Sequence, residues 1–542
     1  MDGAPPTVTG LLLAQAGSSR PGLLFEERRW TWREHVGECA RYAAALRARR
    51  VAGRPFHVGV LADNGPEFSF LLGGCAFAGA VLVALNPVRR GAALAADVAR
   101  TDCQFVLAEP GYAALLPASD VPVLAFDELE LPARAPVEPV PAAAEDLLML
   151  IFTSGTSGDP KAVRVTHAKI AVPGVMLAGR FGLGTGDTVY VSMPMFHSNA
   201  VMAGWAVGLA AGAAIALRRR FSASAFLDDI RAFGATYANY VGKPLSYVLA
   251  TPERAGDADN PLRIAYGNEG VPADLEKFAE RFGCHVIDGF GSTEGGVAVS
   301  RTPGAPPGAL GRLDGGVAVL DPETGRPCPP AVFSPGGELL NPAEAVGELV
   351  NMAGPGLFAG YYNDADADAS RMRDGRYWSG DLAYADADGF CWFAGRAGQW
   401  LRVDGENLGT APIERVLLRH PAIAAAAVYG VPDVNGPGDQ VMACVMLREG
   451  AALTPAELGA FLAGQGDLGR KQRPRFVRVA RAMPRTATFK VITRLLAAER
   501  WRAGGDQVWW RPDGRGPEFA VLEPEQAAGL DASLKAGSVS GG

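Results

Sequence analysis

The strongest constraint on this chain is the run Phe152-Thr-Ser-Gly-Thr-Ser-Gly-Asp-Pro-Lys161. The apolar stretch Leu147-Leu-Met-Leu-Ile151 precedes it and reads as a buried strand; Ala162-Val-Arg-Val-Thr-His167 follows and reads as a second. The polar run is therefore a loop between two strands, not a linker. Gly155 and Gly158 permit backbone conformations that a side chain forbids, and they leave amide N–H groups bare. Thr153, Ser154, Thr156 and Ser157 add hydroxyl donors, and Lys161 adds a fixed cation. Successive bare amides form a concave anion site, and one so rich in donors suits a triphosphate. It is not the Walker arrangement, because no Gly-Lys-Ser/Thr opens a helix after it. A solvated Gly/Ser loop is the bland alternative, and the clamping strands and closing Pro160-Lys161 argue against it.

At 542 residues the chain exceeds one ordinary domain. A hydrophobic content of 48% with 20% charged residues fits a folded, soluble enzyme. The net charge of -7 is spread over interspersed signs, which gives no basic surface for nucleic acid. The seven cysteines are scattered without a CxxC pair or metal-ligand spacing, as expected in a reducing compartment. Met1-Asp-Gly-Ala-Pro-Pro lacks the basic start and apolar core of a signal peptide, so a cytoplasmic location is expected. Two uncharged runs, Phe68 to Leu85 and Ser198 to Leu217, are long enough to test as membrane spans. Both are dominated by Gly and Ala and split into a helix, a Gly-containing turn and a short apolar strand. They read as buried α/β core, with no stable membrane span.

Taken in order, Arg29-Trp-Thr-Trp-Arg33 opens a helix through about Arg50, and Val58–Ala62 and Val81–Leu85 read as strands. Alternation of strands and helices predicts a largely parallel, helix-covered sheet. Past the loop come Val189-Tyr-Val-Ser-Met-Pro-Met-Phe-His197, Tyr266-Gly-Asn-Glu-Gly270 and Asp288-Gly-Phe-Gly-Ser-Thr-Glu294. Residues 300–346 are rich in Gly and Pro and predict small strands with tight turns. Then follow Gly360-Tyr-Tyr-Asn363, Trp378-Ser-Gly-Asp-Leu382, Phe393-Ala-Gly-Arg396, Val403-Asp-Gly-Glu-Asn407 and Pro484-Arg-Thr-Ala-Thr-Phe-Lys490.

These motifs, in this order from about Leu24 to Leu530, resemble the adenylate-forming superfamily: acyl-CoA synthetases, peptide-synthetase adenylation domains and beetle-type luciferases. Thr-Phe-Lys490, Gly405-Glu-Asn407, Gly267-Asn268 and the paired stretches at Trp509 and Phe519 resemble its fatty-acid-transport-protein-like branch of very-long-chain acyl-CoA synthetases. The resemblance implies an α/β fold, with a large multi-sheet N-terminal domain over 1–396 and a small mobile α+β C-terminal domain over 397–542. It implies ATP, Mg²⁺ and coenzyme A as reactants and cofactors, with Lys490, Thr293, Glu294 and His197 in catalytic roles.

Phe290 then offers a flat face to a purine, and Gly289 and Gly291 let the backbone approach it. Thr293 faces the α-phosphate, and Glu294 supplies a metal ligand of the oxygen type that Mg²⁺ prefers. The resemblance further implies that Gly267, Asn268 and Glu269 lie against the adenine, that Asp288 and Ser292 help bind the nucleotide, that Asp381 takes the ribose hydroxyls, and that Arg396 contacts ribose or phosphate. Gly398 stands at the expected pivot, where many relatives carry Asp or Lys, and Gly405 gives the pantetheine arm of coenzyme A room to pass. His197 becomes a pocket-wall residue, with Val201, Trp205, Tyr240 and Val241 as further candidates for an apolar wall. No Asp lies near His197 to pair with a substrate ammonium, which argues against an α-amino acid.

The reaction implied is ATP-dependent acyl-CoA synthesis from a large apolar acid through acyl-AMP. Alternatives are an adenylate-only enzyme that passes acyl-AMP to an acyl carrier protein or a separate thiolation partner, a membrane-associated uptake protein, and a luciferase-like oxidase. A monomer or homodimer is expected.

Overall fold

The structure, a computed structural model, describes residues 5–117, 120–153, 160–270, 272–301, 304–314, 316–396, 401–403, 406–434, 438–485, 491–502, 504–512, 516 and 518–539. The chain divides into two compact units, Met1–Ala298 with Pro355–Arg373, and Val299–Gly354 with Asp374–Gly542.

In the first unit, one sheet places Val123–Leu124, Cys103–Ala108, His57–Leu61, Val81–Ala84, Leu147–Thr153 and Lys161–Thr166 side by side. The first five run parallel, and Lys161–Thr166 returns antiparallel to Leu147–Thr153. His57–Leu61 and Val81–Ala84 are buried at every residue, as expected of parallel strands covered on both faces. A second sheet runs in the order His285–Gly291, Ile264–Asn268, Tyr237–Val241, Thr188–Val191, Ala214–Leu217, Pro21–Phe25, Arg28–Thr31. All of these are parallel to their neighbours except Arg28–Thr31, which pairs antiparallel with Pro21–Phe25. The helix expected from Arg29 therefore begins only at Trp32. Thr31 caps it reciprocally: its hydroxyl accepts from the Glu34 amide at 3.2 Å, and the Glu34 carboxylate accepts from the Thr31 amide at 2.7 Å.

The uncharged runs resolve into core. Pro66–Ala78 is a helix packed against Trp32–Arg49, and a Cβ on Gly74 would lie 2.6 Å from Tyr42 Cβ. Glycine is there for close helix approach, not for lipid. The second run forms Ser198–Ala200, a π-helical turn Val201–Trp205, helix Ala206–Ala211 and strand Ala214–Leu217. Among the described residues, no helix is long and apolar enough to cross a membrane.

The second unit holds an antiparallel sheet in the order Gly311–Arg312, Phe390–Arg396, Arg376–Ala385, Gly347–Asn351, Val317–Leu320. Its strands within 300–346 are short, as the sequence pattern predicts there, and the longer hairpin of Arg376–Ala385 and Phe390–Arg396 completes the sheet. Its two longest strands are joined through Asp386, whose carboxylate accepts from the amides of Asp388 and Phe390 at 3.0 and 2.9 Å. Further along lies a mixed five-stranded sheet: Ile423–Pro432, Asp439–Leu447, Phe476–Val479, Gln507–Trp510 and Ala520–Val521. One hydrophobic cluster contains Ile413, Leu417, Leu458 and Trp509; another contains Met442, Phe476, Leu496 and Trp501. The anticipated pair at Trp509 and Phe519 is present, since Trp509 registers with Val521. Helix Pro524–Val539 lies beyond it and was not anticipated.

Candidate active site

The loop that dominates the sequence is anchored at both ends by strand pairing, with Thr153 opposite Lys161 in register. Ser154, Gly155, Thr156, Ser157 and Gly158 lie outside the described residues, as do Gly398, Gly405 and Lys490. What is described is the frame that receives the loop. Strand Lys161–Thr166 continues onto residues 360–362: the Arg164 amide donates to Gly360 O at 2.9 Å and the Tyr362 amide to Ala162 O at 2.8 Å. This sets Tyr361 beside the loop base, with Lys161 Nζ 5.1 Å from its ring centroid.

Glu294 is the centre of this cluster and is only 9% exposed. Its Oε1 accepts from Tyr361 Oη at 3.0 Å and from Thr153 Oγ1 at 3.4 Å. Its carbonyl accepts from Lys169 Nζ at 2.7 Å. Burial alone would push the carboxyl up. Its own backbone amide, the Arg371 and Lys169 cations and the Tyr361 hydroxyl outweigh that and hold it below the usual glutamate range. Tyr361 responds oppositely: burial and the adjacent Glu294 charge raise its phenol, so it stays a donor.

The group is thus an anionic carboxylate. Among those residues, no cluster of three or more His, Cys, Asp or Glu forms a complete protein cage for a metal. Mg²⁺ ordinarily binds through one or two carboxylates, water and substrate phosphates, so a single poised Glu294 beside a phosphate-type loop fits it.

Next to Glu294, Thr293 Oγ1 and Ser198 Oγ are 2.7 Å apart, which joins this motif to the segment beginning at His197. His197 precedes helix Ser198–Ala200, with its ring centroid 4.6 Å from that of Phe196. Asn199 donates to Tyr240 O at 2.9 Å and accepts from Asn239 Nδ2 at 2.6 Å. The parallel strands Tyr237–Val241, Ile264–Asn268 and His285–Gly291 all end on this side, where open α/β sheets bind ligands. Gly267, Asn268, Gly289, Phe290 and Gly291 sit on the last two of those strands. Glu269 follows with φ 62°. Asp288 Oδ1 accepts from Tyr240 Oη at 2.7 Å and the Gly270 amide at 3.0 Å, so Asp288 braces the turn through its own contacts.

Of the expected wall residues, Trp205 lies in the core, while Tyr240 lines a small cavity with Phe226, Leu245 and Val248. Trp205 is fully buried, its indole donating to Ser69 Oγ at 2.7 Å; a large ring with a polar edge finds its partner in the core. Tyr240 packs into the cluster with Phe226, Leu245 and Phe278 and spends its hydroxyl on Asp288. Motif reading passed over four members of the site: Tyr361, Ser198, Lys169 and Arg371. Tyr361 had a signal in Gly360-Tyr-Tyr-Asn363, but its meeting with a carboxylate 67 residues away is a tertiary event.

In the second unit, Asp381 and Arg396 are directly opposed in register, and Arg396 Nε lies 3.3 Å from Asp381 Oδ1. Asp381 is 6% exposed, and Glu348 holds the preceding turn by accepting from the Gly380 amide at 2.7 Å. The two residues expected at a ribose are therefore brought together.

Comparison with known proteins gives this arrangement its class. Residues 13–362 match the AMP-binding enzyme family and residues 412–490 match the AMP-binding enzyme C-terminal domain. The chain belongs to this family. It is 56% identical over 510 residues, 93% of this chain and 98% of the other, to the medium/long-chain-fatty-acid–CoA ligase FadD17 of Mycobacterium marinum. It is 44% identical over 539 residues, 97% of this chain and 96% of the other, to the steroid-22-oyl-CoA synthetase of Rhodococcus jostii. Similarity to the long-chain fatty acid transport protein 2 of Rattus norvegicus is weaker, at 32% over 63% of this chain and 56% of the other, so the superfamily expectation holds and that branch is a distant relation. In structure the chain is similar to the O-succinylbenzoate–coenzyme A synthetase of Bacillus subtilis in complex with ATP and magnesium ion. The TM-score is 0.75 at 24% identity, covering 90% of this chain and 98% of the other, which shows the shared fold. The protein is an AMP-forming acid–thiol ligase: it uses ATP, Mg²⁺ and coenzyme A to make an acyl-CoA through acyl-AMP.

Proposed function

We propose that the acid activated by this ligase is a medium- to long-chain or polycyclic apolar carboxylic acid. The observation that carries this is the 56% identity across 93% of the chain to a medium/long-chain-fatty-acid–CoA ligase, with 44% identity to a steroid-22-oyl-CoA synthetase. Pro194-Met-Phe-His-Ser198 offers no carboxylate to an ammonium, which supports the exclusion of amino acids. The test is a kcat/KM series over straight-chain acids and a steroid acid. Each added methylene buried in an apolar tunnel contributes about 0.8 kcal/mol, roughly fourfold, until the tunnel is filled. A flat profile across chain length, or a preference for an amino acid, overturns the assignment.

The reading assigns roles as follows. The acid's carboxylate oxygen attacks the α-phosphorus, a new P–O bond forms, and the bond to the bridging oxygen breaks to release pyrophosphate. Lys161 and the loop of Ser154, Gly155, Thr156, Ser157 and Gly158 hold the outer phosphates. Thr293 steadies the α-phosphate, with Ser198 bonded behind it. Glu294 is the residue that would hold Mg²⁺, which when bound neutralises phosphate charge. Phe290 stacks on adenine, while Asp381 and Arg396 take the ribose. Lys490 neutralises the approaching carboxylate and α-phosphate oxygens. An acid of ordinary pKa arrives ionised, so no general base is required.

In the second half, the coenzyme A thiolate, its proton already released to solvent, attacks the acyl carbon, the C–S bond forms, and AMP leaves with the electrons of the C–O bond. Residues 397–542 act as the moving part, with Gly398 at the pivot and Gly405 at the thiol passage. A cytoplasmic, reducing setting is supported by seven free cysteines, six of them buried.

A further inference from the structure

Lys169 is the third residue of helix His167–Arg180 and is only 1% exposed. Its Nζ donates to Glu294 O at 2.7 Å and to Arg164 O at 3.4 Å. Both acceptors are backbone carbonyls, and among the described residues no carboxylate lies within ion-pair distance of this ammonium. Burial pulls this ammonium well below the usual lysine range although the nearby Glu294 charge favours it, so a cation without a directly bonded carboxylate is costly here, and an apolar side chain of the same volume would serve packing better. The carbonyls it grips show what the cation does instead. Arg164 lies on the strand that Lys161 opens, and Glu294 is the carboxylate that Thr153 and Tyr361 orient. The stem runs beneath the next turn: Gly295 has φ +70°, and a Cβ there would meet Lys169 Cε at 3.3 Å. One side chain therefore spans both arms of the site from below.

We propose that Lys169 is a positioning residue for the metal-nucleotide step: by fixing the Glu294 carbonyl to the strand behind the phosphate loop, it presents the Glu294 carboxylate to Mg²⁺-bound ATP. This rests on the reading of Glu294 as the Mg²⁺ residue. Removing a support of this kind behind a metal-binding side chain typically weakens metal affinity about 10- to 100-fold.

The test is calorimetric titration of the full chain with ATP, once with Mg²⁺ and once with EDTA, alongside thermal melting. In Lys169→Met the melting temperature stays at or above that of the parent, and ATP in EDTA binds as in the parent. The extra affinity that Mg²⁺ confers falls at least tenfold. Should the methionine variant not fold, Lys169→Gln, which keeps a shorter N–H donor, is titrated in the same way and shows the same selective loss. An unchanged Mg²⁺ increment in a variant that melts like the parent overturns the proposal. So does an equal loss with and without Mg²⁺, which would mark general loosening. Glu294→Gln is the control. If it leaves the Mg²⁺ increment intact, the Glu294 reading fails and this inference with it; if it abolishes the increment while Lys169→Met does not, only the Lys169 inference fails.

Discussion

A carboxylate that is only 9% exposed stays ionised at Glu294 because four groups offset its burial: the backbone amide, Lys169, Arg371 and the Tyr361 hydroxyl. The prediction for Tyr361→Phe follows from that balance. A hydrogen bond to a charged group contributes about 1.5–3 kcal/mol, so adenylation measured by pyrophosphate exchange should slow roughly tenfold or more while the fold is kept. Glu294→Gln should lower the same exchange on the order of 100-fold, and raising Mg²⁺ should not restore it.

Asp381→Ala removes the proposed ribose acceptor and leaves Arg396 without its 3.3 Å partner. ATP affinity by calorimetry should fall roughly tenfold or more, with little change in acid KM. An unchanged ATP affinity would refute the ribose role.

His35 makes a different kind of prediction. It is fully buried between Trp32 and Phe70, bonded to Ser69 at 2.9 Å, and burial pushes its imidazole down from 6.5 to about 3. Above pH 6.5 the ring is neutral in folded and unfolded chains alike, and the full stability is present. Below pH 6.5 the unfolded chain gains a proton that the folded chain refuses, so stability falls toward pH 3 at about 1.4 kcal/mol per pH unit from this residue. Between pH 7 and pH 5 the parent should lose stability more steeply than His35→Leu; equal slopes would show that the ring protonates in place.

At the scale of elements, the strand pair Leu147–Thr153 and Lys161–Thr166 was legible because its signals are local: an apolar run, a glycine-rich loop, and a return strand. The chain's ordering of Asp288–Glu294, Asp381 and Arg396 was legible for the same reason. What escaped depended on distant partners. Lys169 reads in sequence as an ordinary helix-start lysine, and only the approach of Glu294 reveals its use. Trp205 lies in an apolar run next to the site, yet Ser69 draws its indole into the core. The antiparallel sheet over Gly311–Arg396 was legible in part: the short strands within 300–346 were expected, while the hairpin of Arg376–Ala385 and Phe390–Arg396 was read for its motifs alone.

Glycine spacing makes an element-scale prediction. Helix His167–Arg180 packs on helix Ala206–Ala211, and a Cβ on Gly174 would lie 2.6 Å from Ala206 O. Gly174→Val should cost about 1–3 kcal/mol by overpacking, read as a lower melting temperature. A melting temperature equal to that of the parent would show that the helices can separate freely.

On the scale of the whole molecule, three buried imidazoles stay neutral in the fold: His35, His57 and His167. The acid limb of unfolding should accordingly begin below pH 6.5, with proton uptake on unfolding. In the proposed mechanism one ligase serves two half-reactions, with Lys490 needed for the first alone. Lys490→Ala should abolish acyl-AMP formation and largely spare the reaction of supplied acyl-AMP with coenzyme A; equal loss of both would refute the division. The measurement that reaches the central claim most directly is the product balance of one reaction, followed by mass spectrometry. Purified protein, Mg²⁺, ATP and a panel of apolar acids are incubated with and without coenzyme A. Equal amounts of AMP, pyrophosphate and the acyl-CoA of an apolar acid are expected, with acyl-AMP held on the enzyme only when coenzyme A is withheld. Formation of ADP, or acyl-AMP that accumulates while coenzyme A is present, would contradict that claim.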